Sequence, residues 1–176
     1  MKIARIVLLI FVLAGCGYTT RSMITDKFKT VYIEPFVNKV DIVNEMYSEN
    51  RYRVYRPTLE TEITQSVINK FLFDGNLRPV KNETADLVLK GELVEFRRDP
   101  LIYSDSDTVT QYRLNIVVNI ELFDKKENKL LWKENNFTGD TTFFTTGANA
   151  KTEDVAITDA LSDLARRIVE RTVEQW

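Results

Sequence analysis

The clearest pattern in the chain is an alternation. Tyr112, Leu114, Ile116, Val118, Ile120 and Leu122 are apolar at every second position, with Arg113, Asn115, Asn119 and Glu121 between them. Successive side chains of a strand point to opposite faces, so this spacing predicts a strand with one face buried and the other wet. Residues 85–96 read as a second long strand, broken by Asp99-Pro100 and followed by a polar loop through Asp107. Residues 29–36 and 77–81 are shorter strand candidates, and Pro35 places the first at a strand end or a sheet edge. A charged turn from Asp124 to Lys129 leads into an antiparallel return that starts at Leu130-Leu131-Trp132 and runs to about Thr138. Residues 139–151, rich in Thr and Gly with Phe143-Phe144 in their middle, read as a loop.

Two segments change period. Leu59, Ile63, Val67 and Phe71 recur every four residues, with Ile68 and Leu72 beside the stripe, as an amphipathic helix requires. Pro57-Thr58 opens this helix and Asp74-Gly75-Asn76 stops it. Ile157, Leu161, Leu164 and Ile168 mark a second helix, with Thr152 as its cap and Glu153 and Asp154 in its first turn. The chain closes on Trp176. Residues 38–56, polar and charged with Tyr47, Tyr52 and Tyr55, read as an irregular insert. The order β-α-β-β-β-α, with one apolar stripe per helix, predicts an α+β fold. Both helices pack on one face of a four- to five-stranded mixed sheet, and the opening crossover is right-handed.

The first residues do not belong to that fold. Lys2 and Arg5 precede an unbroken apolar run over residues 6–13, and Ala14-Gly15-Cys16 follow. The run is shorter than the roughly 17–25 residues that span a bilayer, so it reads as a signal peptide. Leu13-Ala14-Gly15-Cys16 resembles the lipobox of bacterial lipoproteins. That implies removal of residues 1–15, a diacylglycerol on the Cys16 thiol and an acyl chain on its new amine. Gly17, where an Asp favours inner-membrane retention in the common sorting rule, points to the outer membrane. Residues 16–28 then form a lipidated tether reaching about 40 Å at most, and residues 29–176 form a single domain.

Composition narrows the chemistry. The chain has no histidine, which excludes a Ser-His-Asp triad, a Cys-His pair and a histidine metal site. Cys16 is its only cysteine, so no disulfide can form within the mature chain. No paired-carboxylate signature and no phosphate-cradling glycine loop is present, so an enzyme is not expected and neither a metal nor a dissociable cofactor is called for. Without Lys2 and Arg5, 22 basic side chains face 26 acidic ones, a net charge of −4. A nucleic-acid binder would be basic, so nucleic acid is not an expected partner.

Several segments then agree in order and spacing. Cys16-Gly17-Tyr18, the run from Thr30 through Val31-Tyr32-Ile33-Glu34-Pro35-Phe36-Val37 to Asn38, Ala85-Asp86-Leu87-Val88-Leu89-Lys90-Gly91, and Gln111-Tyr112-Arg113-Leu114 resemble LptE. So does a last helix ending in tryptophan. LptE is the lipopolysaccharide-assembly lipoprotein family of Gram-negative outer membranes, and the resemblance covers most of the mature chain. It implies a protein that plugs the lumen of the β-barrel LptD, helps it fold, binds lipopolysaccharide and assists delivery to the outer leaflet. The insert at 38–56 departs from the compact members of the family. A lipoprotein activator of a peptidoglycan synthase is the alternative, though such activators typically carry a long linker, and a carboxylate-dependent periplasmic hydrolase ranks behind both.

Lipopolysaccharide presents phosphates and acyl chains, so a binder needs Lys or Arg beside apolar surface. The candidates are Arg97 and Arg98 at a strand end, and Lys125, Lys126 and Lys129 in one turn, expected at opposite ends of the sheet. Each is equally readable as a solvated surface patch, as are Arg51, Arg53 and Arg56 in the insert and Arg166, Arg167 and Arg171 on the last helix. The candidate partner contacts are Arg113, Asn115, Asn119 and Glu121 on the wet strand face, together with Phe143 and Phe144, which read equally well as a small cluster over the core.

Overall fold

A computed structural model describes residues 27–40 and 56–174. Cys16, the signal segment, most of the tether, most of the insert and Trp176 lie outside the described residues. The described elements run β1 (Thr30–Ile33), β2 (Val37–Asn38), α1 (Leu59–Asp74), β3 (Arg78–Pro79), a 3-10 turn (Asn82–Thr84), β4 (Leu87–Tyr103), β5 (Val109–Asp124), β6 (Lys129–Phe144) and α2 (Glu153–Glu174). The class is α+β, and the mixed sheet has six strands, slightly more than the pattern predicts.

The extra strand is β2. It lies end to end with β1 on the same edge of β4, and both are parallel to it. Pro35 falls in the gap between them, where a missing N–H breaks no ladder, while Glu34 and Lys39 donate to the carbonyls of Leu89 and Leu93 on either side. Across the sheet the order is β3-β1-β4-β5-β6. β1 and β3 are parallel and joined through α1, whereas β4, β5 and β6 form an antiparallel meander.

Both helices cover one face. On β5 the even positions from Leu114 to Leu122 have no solvent exposure, and Leu59, Ile63, Val67 and Phe71 of α1 meet them in one core with Ile157, Leu161, Leu164 and Ile168 of α2. Gly75 ends α1 at φ 77°, a left-handed conformation that glycine adopts without a Cβ clash, and its N–H caps the Phe71 carbonyl.

Two sequence expectations fail for physical reasons. Asp99-Pro100 does not break β4, which continues to Tyr103 through irregularities between Leu93 and Glu95 and again around Ile102. Beyond Leu93 no described strand pairs with the outer edge of β4. Pro100 therefore sits on an edge, where its lack of a donor is tolerated. Residues 139–144 are not loop: β6 runs through them, with Thr141 opposite Leu114 and Phe143 opposite Tyr112. Gly139 lies opposite Ile116 because α2 crosses there; a Cβ on it would stand 2.3 Å from Leu164 Cβ and 2.5 Å from Leu164 Cα. The outer edge of β6 is unpaired among the described strands. A register shift interrupts it where Asn136 turns to φ 55° and donates its N–H to Asn119 Oδ1 at 3.0 Å.

The end of the sheet where the chain enters is built on two aspartates. Asp124 is 1% exposed, accepts from the backbone N–H groups of Lys126 and Glu127 at 3.0 and 3.2 Å, and pairs with Lys27 Nζ at 3.1 Å. Burial pushes its carboxyl pKa up, but these donors hold it below the ordinary value. Asp86 accepts from the N–H groups of Lys29 and Thr30 and from the Thr30 hydroxyl, and the Lys29 N–H leads in lowering its pKa. Groups whose folded pKa is depressed contribute stability that is present above their unfolded value and lost as pH falls through the folded value. Stability should therefore decline as pH drops below 3.8. Urea titrations across that range should show a shallower decline in Asp124→Asn; an unchanged slope would mean the acid sensitivity lies elsewhere.

Candidate functional site

The face of the sheet turned away from the helices is where the polar candidates meet. Arg97 stands opposite Asn115, and Asp99 opposite Arg113. Asp99 Oδ2 accepts from Arg97 Nε at 2.8 Å and from Asn115 Nδ2 at 2.8 Å, and Arg97 also reaches Glu95 at 3.3 Å. These carboxylates, Asp99 first, raise the Arg97 pKa against the opposing pull of burial. Asn115 is thus buried, at 6% exposure, rather than wet as the alternation implies. Further along the face, Lys133 pairs with Glu121 at 2.7 Å and Lys90 with Glu34 at 4.0 Å, around a shallow depression of about 230 Å³ that Asn119 also lines. Arg113 lies 4.0 Å from Asp140, which Arg167 of α2 holds at 3.0 Å around the sheet edge. Each described cation named here has a carboxylate beside it, so the open face is polar yet close to neutral.

Arg98, next to Arg97, projects to the helix side. It pairs with Glu153 at the start of α2 at 2.6 Å and lies 4.9 Å over the Tyr112 ring. Tyr112 in turn stacks on Phe143 at 5.8 Å. Phe143 is 4% exposed and belongs to the core, whereas Phe144, on the opposite face, is 38% exposed. The two arginines therefore do not form one patch, and the two phenylalanines do not form one contact.

Lys125, Lys126 and Lys129 sit at the other end of the sheet, in and beside the β5–β6 turn. Lys125 Nζ donates to the Asn82 carbonyl, Lys126 pairs with Asp86 at 3.4 Å, and Lys129 is exposed and makes no ion pair among the described residues. The strand between this turn and the Arg97 level is roughly 30 Å long, so the two basic candidates do lie apart. Of the remaining basic residues, Arg56 joins Glu62 to Asp154, Arg166 and Arg167 hold Asp163, and Arg171 pairs with Glu134 while covering the Trp132 ring. The Arg56 and Arg171 pairs fasten helix to helix and helix to sheet, whereas the pairs with Asp163 run along α2 itself. Arg51 and Arg53 lie outside the described residues.

Sequence reasoning missed Asp99, the acceptor that organises Arg97 and Asn115, because Asp99-Pro100 looks like a strand terminator. It also missed the hairpin tip between β4 and β5. There Leu101, Ile102 and Tyr103 are exposed by 41, 47 and 52%, at the same end as Phe144. The available signal was an apolar triplet set between Pro100 and a Ser/Asp-rich turn.

Replacing Asp99 with alanine should cost about 1–3 kcal/mol, because it strands the buried Asn115 amide without its acceptor. Arg97→Ala should cost about 0–1 kcal/mol, its ion pairs being partly solvated. Equal losses in urea unfolding would contradict the role given to Asp99.

The architecture and the open face define a class: a two-layer α+β domain that presents a polar, charge-paired sheet surface. Within that class the chain belongs to LptE, the lipopolysaccharide-assembly family, whose model matches residues 28–172. It is thus a lipopolysaccharide-assembly lipoprotein by family. No curated protein matches it. Among solved structures it is similar to a protein from Xanthomonas campestris, at 14% identity and TM-score 0.55 over 82% of this chain and 84% of that one. It is similar to a hypothetical protein from Chlamydia trachomatis, at 14% identity and TM-score 0.51 over 82 and 95%. An uncharacterized lipoprotein B from Nitrosomonas europaea matches at 15% identity and TM-score 0.51 over 83% of each chain. At these identities the likeness is one of fold.

Proposed function

We propose that this chain is the outer-membrane lipoprotein that occupies the lumen of an LptD-like β-barrel, assists its folding and takes part in passing lipopolysaccharide to the outer leaflet. The observation that carries the reading is the open sheet face. Barrel interiors are polar, and a face whose charges are already paired can enter one without stranding an ion. Its dimensions support the same reading: β4, β5 and β6 are 16 to 17 residues long, about 50 Å at strand rise, against an apolar band of about 25 Å in such barrels.

Cys16, carrying diacylglycerol and an N-acyl chain, would anchor the protein in the outer membrane. Lipopolysaccharide phosphates reaching Arg97 must compete with Glu95 and Asp99, whereas the exposed apolar hairpin tip offers acyl chains a surface. Purification of the tagged protein from its own membranes in mild detergent should recover a stoichiometric, heat-modifiable β-barrel partner. Recovery of a peptidoglycan synthase in its place would favour the activator reading, and the short tether of residues 16–28 argues against that outcome.

A further inference from the structure

The described residue with the most exposed large apolar side chain is Phe73, 85% exposed in the last turn of α1, beside Leu72 at 60%. Lys70 lies one turn back, its Nζ 5.3 Å over the Phe73 ring. The stripe that buries Val67 and Phe71 turns Phe73 away from the core, so packing among the described residues does not explain it. Its place in the fold offers an explanation. α1 ends where β3 begins, Arg78 of β3 pairs with Thr30, and Lys27 is tied to Asp124 at the foot of β5. The end of the molecule that carries Leu72 and Phe73 is therefore the end where the tether enters. The β5–β6 turn is there too, with Lys125, Lys126 and Lys129, and Leu130 beside it is 44% exposed.

The charges at this end are unequal in availability. Asp86 and Asp124 are turned inward onto backbone N–H groups, Asp86 also reaching Lys126 at 3.4 Å and Asp124 reaching Lys27 at 3.1 Å, while the Lys126 side chain stays 80% exposed. Asp74, Glu83 and Glu127 are exposed, Glu127 held by Lys27 at 3.3 Å, but Lys81, Lys126 and Lys129 are exposed as well, with Arg78 among them. An aromatic ring and a leucine that share one end of the molecule with long basic side chains make the pattern of a surface that sits in a lipid headgroup layer, rings at the interface and ammonium groups reaching the phosphates.

We propose that this end docks on an anionic phospholipid surface, with Phe73 and Leu72 entering the headgroup region and Lys126 and Lys129 meeting lipid phosphates. The inference rests on the lipid-anchor part of the proposed function and is independent of the barrel. Residues 16–26 separate the acylated cysteine from Lys27, a reach of about 35 Å at full extension, so the anchor already holds this end near the bilayer. Before a barrel takes the domain up, docking converts a loose leash into a defined orientation, with the hairpin tip and Phe144 pointing away from the membrane.

The test uses the full lipidated protein reconstituted in phosphatidylcholine vesicles with or without phosphatidylglycerol. Cys16 is the only native cysteine and its sulfur is blocked by lipid, so Phe73→Cys or Phe144→Cys supplies a single attachment point for an environment-sensitive dye. The dye at position 73 should be quenched by brominated lipid when phosphatidylglycerol is present, and the dye at 144 should not. Lys126→Gln and Lys129→Gln should each lower the docked-to-undocked ratio about fivefold. Three results overturn the docking: position 73 unquenched, both positions quenched alike, or quenching indifferent to phosphatidylglycerol and to the lysines. Protein that fails to partition into vesicles of either kind overturns the anchor, and the docking with it.

Discussion

A Gly139→Ala protein should unfold at a much lower urea concentration than the parent, with a loss of about 3 kcal/mol. The reason is that the new methyl meets backbone. It would stand 2.5 Å from Leu164 Cα and 2.6 Å from Leu164 N, and neither can move unless all of α2 lifts off the sheet. Lifting α2 also separates Leu164 and Ile168 from the apolar face of β5. Gly91 is the informative contrast. A Cβ there would lie 2.1 Å from Phe36, but the clash is with the ring of one side chain on a short connecting segment. That ring is packed in the core, but the segment that carries it can shift more readily than a whole helix, so Gly91→Ala should lose less, about 1–2 kcal/mol. Equal losses would mean that the β6–α2 contact is more compliant than its geometry indicates.

Cys16→Ala should change location and not stability. Cooperative unfolding of the domain should be unaltered, because the core is formed by residues from Phe28 onward. Attachment should fall by orders of magnitude, since even a single acyl chain supplies an association constant of about 10⁴ M⁻¹ and two or three chains multiply it. Fractionation into soluble and membrane pools, followed by density separation of the two membranes, measures this directly. Release into the soluble pool is the expected result. Persistence in the outer-membrane fraction would show that a protein partner holds the domain there without its lipid.

The elements that could be read from sequence are those whose period is enforced by a single buried face. The alternation of β5 and the four-residue stripe of α1 are of this kind: the even positions from Leu114 to Leu122 and Leu59, Ile63, Val67 and Phe71 are all buried, although Asn115 and Val117 are buried as well. The failures have a common origin in tertiary context. Gly139 reads as a loop residue until α2 is seen against it, and Thr141 and Thr142, β-branched and suited to strands, lose their meaning beside it. Pro100 reads as a terminator until the adjacent edge of β4 proves unpaired among the described strands. β2 depends on a parallel neighbour distant in sequence, and no local pattern announces it.

The candidate site was legible in its inventory of residues but not in their sides. Arg97 and Arg98 are neighbours in sequence and face opposite layers. Phe143 and Phe144 do the same, one in the core and one in solvent. Strand residues alternate by construction, so a doubled basic or aromatic pair on a strand can never be one patch. Recognising residues 97 and 98 as strand would have separated them. Asn115 was misjudged in the other direction: its amide is wanted inside because Asp99 waits across the ladder.

The interruption at Asn136 has a bearing on the life of the protein before it meets any partner. An unbroken strand of sixteen residues with a bare edge would be a template on which another copy could pair, and so on into a polymer. At the middle of that edge the backbone of β6 buckles and its N–H is taken inward by Asn119, while Lys133 and Glu134 place charge just before the kink. The edge is thereby divided into two shorter stretches, a poorer template than one continuous strand.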